Sequence, residues 1–264
     1  MTDAAGATDP VLLVGAQRSG TTALALRLNE AFRDAGGLFT VNGKLPYYLR
    51  RWWGDPAAHR HLRADEVIHG LRRKPPFGPD ADAFLARAEE ALRRDAARCA
   101  AAGGGDGGGG LEGMRRLCRE AYGVPRWGDK YNEYLLELDH LHALFPRATW
   151  IFLARDPSEV VASLLDWPGD RPWNPRDAGA AALKWAAWNG EWLRFRERVE
   201  PARRVELLYG DVAAGRRGAL DDCLGLDLGP YMEGFFPRPR TGPPRLPPEA
   251  ERTWARLAEI CNPR

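Results

Sequence analysis

Eight residues near the start of the chain hold its densest chemistry: Gly15-Ala16-Gln17-Arg18-Ser19-Gly20-Thr21-Thr22. Two glycines, one cation and three hydroxyl side chains suit a backbone that turns its N–H groups inward around an anion. A helix starting there adds the partial positive charge of its N-terminus. The glycine spacing is that of a phosphate-binding loop, but Thr21 stands where a nucleoside-triphosphate site needs a lysine to reach the terminal phosphates. The cation sits earlier, as Arg18. Its position suits a phosphosulfate better than a magnesium-bound triphosphate.

A second anion-binding segment lies far downstream. Ile151-Phe152-Leu153-Ala154 runs into Arg155-Asp156-Pro157, and Ser163 follows eight residues after the arginine. An arginine there can form a charge-assisted pair with a phosphate, and Ser163 falls on the helix that follows. Between the two segments lies Trp127-Gly128-Asp129-Lys130-Tyr131-Asn132-Glu133.

These segments need elements to aim them. Val11-Leu12-Leu13-Val14 is a short apolar run ended by Gly15, the pattern of a strand buried on both faces. From Thr22, the residues Leu24, Leu26, Leu28, Ala31 and Phe32 fit a helix that Gly36-Gly37 stops. Leu38–Val41, Ala148–Leu153 and Val205–Leu208 read as strands, and Ser158–Leu165 as a helix. Asp82–Ala102 reads as a long helix. Ala178–Val199 is another, with Trp185, Trp188, Trp192, Phe195 and Val199 as a core-facing stripe. The pattern predicts an α/β fold, a P-loop-NTPase-like α/β/α sandwich of three layers around a central, mostly parallel sheet. Gly103–Gly110, seven glycines around Asp106, reads as a flexible linker inside a single domain spanning residues 1–264.

With 38 basic and 36 acidic residues the net charge is only +2. A nucleic-acid partner would demand a stronger basic bias, so anion binding is expected to be local. Cys99, Cys118, Cys223 and Cys261 are scattered, with no C-x-x-C pair, which argues against a zinc site and for free thiols in a reducing cytosol. No apolar run approaches the roughly 20 residues of a membrane span. A signal peptide's basic region is also missing, and a cytoplasmic protein is expected. Richness in Ala, Arg, Gly and Pro is that of a high-GC bacterial genome.

Arg18-Ser19-Gly20-Thr21-Thr22 resembles, without a gap, the 5′-phosphosulfate loop of sulfotransferases that use 3′-phosphoadenylyl sulfate (PAPS): a basic residue followed by Ser-Gly-Thr-Thr. The Arg155-Asp156-Pro157 segment with Ser163 resembles that family's other signature, a strand ending in Arg-Asp-Pro with a serine eight residues on. The resemblance, closest to the bacterial, glycan and tyrosylprotein branches, implies PAPS as cofactor, adenosine 3′,5′-bisphosphate as product, and no metal. It places Gln17, Arg18, Ser19, Gly20, Thr21 and Thr22 around the phosphosulfate, and Arg155 and Ser163 on the 3′-phosphate. Leu208-Tyr209-Gly210-Asp211-Val212 resembles the family's Tyr-Glu-Asp-Leu segment and brings in Tyr209. Arg240-Thr241-Gly242 resembles its late Arg-Lys-Gly, another 3′-phosphate contact. Lys130 matches a lysine many relatives carry, where an ammonium stabilises charge on the bridging oxygen as the S–O bond breaks. Arg18 is the second cation expected in the catalytic group.

The proton acceptor is less legible. Relatives supply a glutamate or histidine after the first helix, and glycan-modifying members carry Lys-Glu-Pro there. Here Lys44-Leu45-Pro46 puts a leucine where the acid would be. Three routes stay open: a nearby base, an acceptor acidic enough to need little help, or PAPS binding without turnover. Candidate bases are His59, His61, Asp65, Glu66 and His69, with His69 and His59 leading because they follow the base-bearing segment. Tyr47-Tyr48 and Trp52-Trp53 favour a small aromatic or amphiphilic acceptor, presenting a hydroxyl or amine. The rival classes are a P-loop nucleotide kinase, which requires ATP and magnesium, and a non-catalytic nucleotide-binding relative.

Overall fold

The computed structural model describes residues 9–53, 62–101, 110–168, 173–236, 239–243 and 245–262. Five strands form one sheet in the order β2-β3-β1-β4-β5: β1 is Val11–Val14, β2 Leu38–Val41, β3 Trp127–Lys130, β4 Thr149–Ala154 and β5 Arg204–Leu208. β2 and β3 pair in parallel from Leu38 opposite Trp127 to Val41 opposite Lys130. β4 and β5 pair in parallel from Trp150 opposite Arg204 to Ala154 opposite Leu208. With helices flanking this mostly parallel sheet, the fold is α/β as expected. All four residues of β1 are buried, as are those of β2 and β3, which is why β1 reads as an uninterrupted apolar run and β2 as an apolar run broken only by Thr40.

β3 is the strand that composition conceals. Its sequence is Trp-Gly-Asp-Lys, yet every residue is buried. Two of the four side chains are charged, so local propensity gives no strand signal.

The chain divides into two compact units. One comprises Met1–Leu12 with Leu28–Thr149; the other comprises Leu13–Arg27 with Trp150–Arg264. The first unit packs Phe84 against Tyr122, and stacks Tyr122 on Trp127 with ring centroids 3.9 Å apart. Phe32 meets Phe39 edge-on at 5.2 Å. The second unit stacks Phe152 of β4 on Trp192 at 4.9 Å, and sets Trp150 edge-on to Phe195 at 5.0 Å.

The aromatic stripe of Ala178–Phe195 is therefore core, apart from Trp188, which is half-exposed. That helix ends at Phe195, and a 3₁₀ turn, Arg196–Arg198, carries the chain on to Val199. Of the glycine stretch expected to be a linker, residues 103–109 lie outside the described residues, and Gly110 opens the helix Gly110–Tyr122.

Candidate active site

In the second unit the loop after β1 leads directly into the helix Thr21–Asp34. Its backbone is bent by two left-handed residues, Arg18 at φ 68° and Gly20 at φ 92°. At Gly20 a β-carbon would also lie 2.5 Å from the ring of Tyr209, so glycine is required twice over. The first helical bond runs from the Leu24 amide to the Gly20 carbonyl, 3.1 Å. The amide dipoles of the first turn thus give the loop a positive end. Gln17, Ser19 and Thr21 are buried, Arg18 and Gly20 are half-buried, and Thr22 is exposed.

The second anion segment meets this loop. Arg155 ends at the tip of β4, Asp156 caps the helix Pro157–Leu165 by accepting from the Ser158 amide at 2.8 Å, and Pro157 takes the first helical position. Each residue of Arg-Asp-Pro therefore has a structural assignment. Arg18 Nε donates to Ser163 Oγ at 2.8 Å, across 145 residues of sequence. Arg155 donates to the Arg18 carbonyl at 3.4 Å and to Glu159 Oε2 at 2.7 Å, and its guanidinium lies 4.6 Å from the Tyr209 ring centroid. The Tyr209 hydroxyl donates to the Phe236 carbonyl at 3.0 Å.

Arg240 pairs with Asp166. Nearby, Gly242 packs so closely that a β-carbon there would lie 2.1 Å from the Ser158 carbonyl oxygen. Burial, and then the charges of Arg240 and Arg155, push the Arg18 pKa down. Three arginines that repel one another form a field that an anion relieves. Ser19 Oγ is fully buried with no hydrogen-bond partner among the described residues. A buried hydroxyl of this kind needs an acceptor, and a phosphate or sulfate oxygen fits it.

The first unit holds a different cluster, built on Asp129 at the end of β3. This buried carboxylate accepts five hydrogen bonds: from Thr40 Oγ1 at 2.7 Å, from the amides of Gly43, Lys44 and Lys130 at 2.8 Å each, and from the Tyr134 hydroxyl at 2.6 Å. Burial raises its pKa, and these donors pull the other way. The bonds hold the turn Asn42-Gly43-Lys44, in which Asn42 and Lys44 adopt φ 66° and 61°.

Lys130 is buried and donates to Asn42 Oδ1 at 3.4 Å. Burial lowers its pKa to about 8, against the opposing pull of Glu133 and Asp129. Lys44 is buried too: its ammonium donates to the Lys74 carbonyl and lies 5.4 Å from the Tyr48 ring centroid. Its pKa is also lowered to about 8, chiefly by burial. Tyr48, Tyr47, Tyr131 and Tyr134 continue the cluster as a chain of edge-on rings, 5.6, 5.2 and 5.7 Å apart in turn.

The candidate bases separate. His59 and His61 lie outside the described residues. His69, Asp65 and Glu66 are exposed on the helix Ala64–Arg73. Leu45 is fully buried at the start of the helix Leu45–Trp53, so an acid in its place would be a carboxylate in the core.

Glu133, three residues beyond Lys130, carries no expectation from sequence. Yet it accepts from the Tyr131 hydroxyl, and its charge acts on Lys130, Lys44 and Tyr48. Its separation from Lys130 was the available signal. Asp129 was equally silent, because nothing in Trp-Gly-Asp-Lys says that five donors converge on the acid.

No helix among the described residues is long and apolar enough to cross a membrane. Nor do these residues include a group of three or more His, Cys, Asp or Glu able to hold a metal ion.

The sequence model described as the sulfotransferase family matches residues 10–225. No curated protein matches the chain. Among solved structures, the chain is similar to the sulfotransferase domain from the Synechococcus PCC 7002 olefin synthase: TM-score 0.58, 19% identity, 98% of this chain and 97% of that one covered. It is also similar to the sulfotransferase domain from the curacin biosynthetic pathway: TM-score 0.55, 16% identity, 96% and 98% covered. At these identities the two likenesses speak to the fold.

Proposed function

The chain belongs to the sulfotransferase family, and we propose that it transfers a sulfuryl group from PAPS to a hydroxyl or amine of a small aromatic or amphiphilic acceptor. The observation that best supports this is the 2.8 Å bond from Arg18 to Ser163, which joins the two anion motifs of the sequence. Ser19, buried and unpartnered among the described residues, is the further sign that the loop takes an oxyanion. When bound, PAPS supplies the sulfuryl group and departs as adenosine 3′,5′-bisphosphate.

The loop Gln17–Thr22 would bind the 5′-phosphosulfate through Arg18, Ser19 and the amides of the helix N-terminus. Arg155 and Ser163 would hold the 3′-phosphate, with Tyr209 and Arg240 beside them. Lys130 would carry positive charge toward the bridging oxygen as the S–O bond breaks, and the bond's electron pair would leave with that oxygen. The acceptor's proton goes to a base: the charges of Glu133 and Asp129 both reach Lys130, and because Asp129 is enclosed by its five donors, Glu133 is the better candidate. A near-neutral charge of +2 and four scattered cysteines support a cytoplasmic enzyme with no nucleic-acid partner.

The test is calorimetry with PAPS and with ATP plus magnesium, followed by turnover on a panel of phenols, alcohols and amines. PAPS binding that Arg155→Ala abolishes, with release of adenosine 3′,5′-bisphosphate, is the expected result. Preference for magnesium-ATP, or indifference to Arg155→Ala, would refute the reading. Glu133→Gln, His59→Ala and His69→Ala then identify the base: the correct one loses kcat and keeps donor affinity.

A further inference from the structure

Lys184 lies on the helix Ala178–Phe195, in the same unit as the anion loop. Its ammonium donates to the Gln17 amide oxygen at 3.0 Å and to the Trp173 carbonyl at 3.0 Å. It also lies 4.9 Å from the ring centroid of Trp173 and 5.3 Å from that of Trp188. Trp173 meets Trp167 edge-on at 5.1 Å, and the Arg18 guanidinium lies 4.9 Å from the Trp167 ring centroid. A chain of contacts thus runs from the helix to the loop, with the edge-on pair Trp173 and Trp167 set between the cations Lys184 and Arg18.

The chemistry of the Gln17 contact has a direction. An ammonium only donates, so the amide must turn its oxygen toward Lys184. Its other end, an NH2 group with two donors, is thereby committed to the opposite side. The two amide orientations have nearly the same shape, and without the lysine nothing in that shape chooses between them. For a loop that binds an oxyanion the choice matters, because N–H groups attract the anion and a carbonyl oxygen repels it.

We propose that Lys184 is a positioning residue: it locks the Gln17 amide so that the loop offers N–H donors to a phosphosulfate or phosphate. The proposal rests on the PAPS reading above. Lys184 acts through Gln17, by orientation, and the bonds to Trp173 fix the ammonium in place.

A double-mutant cycle tests it, read by calorimetry with adenosine 3′,5′-bisphosphate as the probe. Lys184→Met should weaken binding about 10-fold, the size of one lost charge-assisted contact. Lys184→Arg, which also only donates, should restore affinity to within roughly 3-fold of wild type. In a Gln17→Ala background, Lys184→Met should change affinity by less than about 2-fold, because the group it orients is gone.

An equal loss in both backgrounds would overturn the proposal and assign the effect to the lysine's own charge. So would an unchanged affinity for Lys184→Met. If Lys184→Met does not fold, Gln17→Glu carries the test: it keeps the bond to Lys184 but has no N–H to offer, so affinity should fall at least 10-fold. Retained affinity in that variant refutes the orientation argument. Wild-type protein that fails to bind the probe sinks the PAPS reading and this inference together. Wild-type binding with an additive cycle sinks the inference alone.

Discussion

Asp129→Asn isolates the role of the carboxylate at the centre of the lysine cluster. Oδ1 accepts from Thr40, Gly43 and the Lys130 amide, whereas Oδ2 accepts from the Lys44 amide and the Tyr134 hydroxyl. Asparagine keeps the shape and one acceptor oxygen. Placed at the Oδ1 position, that oxygen preserves three bonds, and the new NH2 group faces the Lys44 amide and the Tyr134 hydroxyl. The hydroxyl can rotate and accept. The amide cannot, and an unpaired buried N–H costs about 1–3 kcal/mol.

The three surviving bonds lose their charge assistance, roughly 1 kcal/mol each. Relief of the carboxylate's burial, which raises its pKa, offsets part of that loss. The net destabilisation is about 2–4 kcal/mol. With a urea slope of roughly 3 kcal/mol/M, the unfolding midpoint should fall by about 1 M. A fall of less than about 0.3 M at unchanged slope would show that the five-bond hub does not hold the Asn42-Gly43-Lys44 turn.

Lys130 is cationic only below about 8, so if its charge assists the leaving oxygen, kcat/KM should decline as pH rises through about 8. Lys130→Arg, charged throughout, should remove that alkaline limb, and a limb that persists unchanged would exclude the lysine as its source. Gly20→Ala places a β-carbon against the Tyr209 ring at a φ of 92°, so affinity for adenosine 3′,5′-bisphosphate should fall at least 10-fold by calorimetry. Normal affinity would mean that the anion binds elsewhere.

His140 is held at about 4, by burial and then by the charge of Arg50. Between that value and the unfolded value near 6.5 the unfolded chain binds more protons. Stability should therefore drop as pH falls through this window, by up to about 3 kcal/mol. His140→Leu should flatten that part of a urea-midpoint profile between pH 7 and 4, and an identical slope in both proteins would contradict the assignment.

The sequence alone was enough to determine the local structure of the two motif segments and the parallel α/β frame. Strand, loop and helix are contiguous in Val11–Asp34, so one apolar run, two glycines and a helical period record the whole unit. Arg155, Asp156 and Pro157 are likewise local, as strand end, helix cap and first helical residue.

Only tertiary structure could decide what those motifs touch. The Asp129 hub exists because β2 and β3 pair in a register that sets Thr40 opposite Asp129 and Val41 opposite Lys130. A hydrogen-bonded pair 89 residues apart leaves no periodicity to read. β3 was hidden for a related reason: its charged residues are paid no attention by local propensity, and their burial is possible only because partners arrive from other segments. Leu45 illustrates the remaining distance. Sequence showed that an acid is missing there, and structure showed that the position is core. Lys184 and Gln17, 167 residues apart, meet only after folding. Backbone conformation is encoded locally, whereas the orientation of a buried charge or amide is set by whichever donors and acceptors the fold brings beside it.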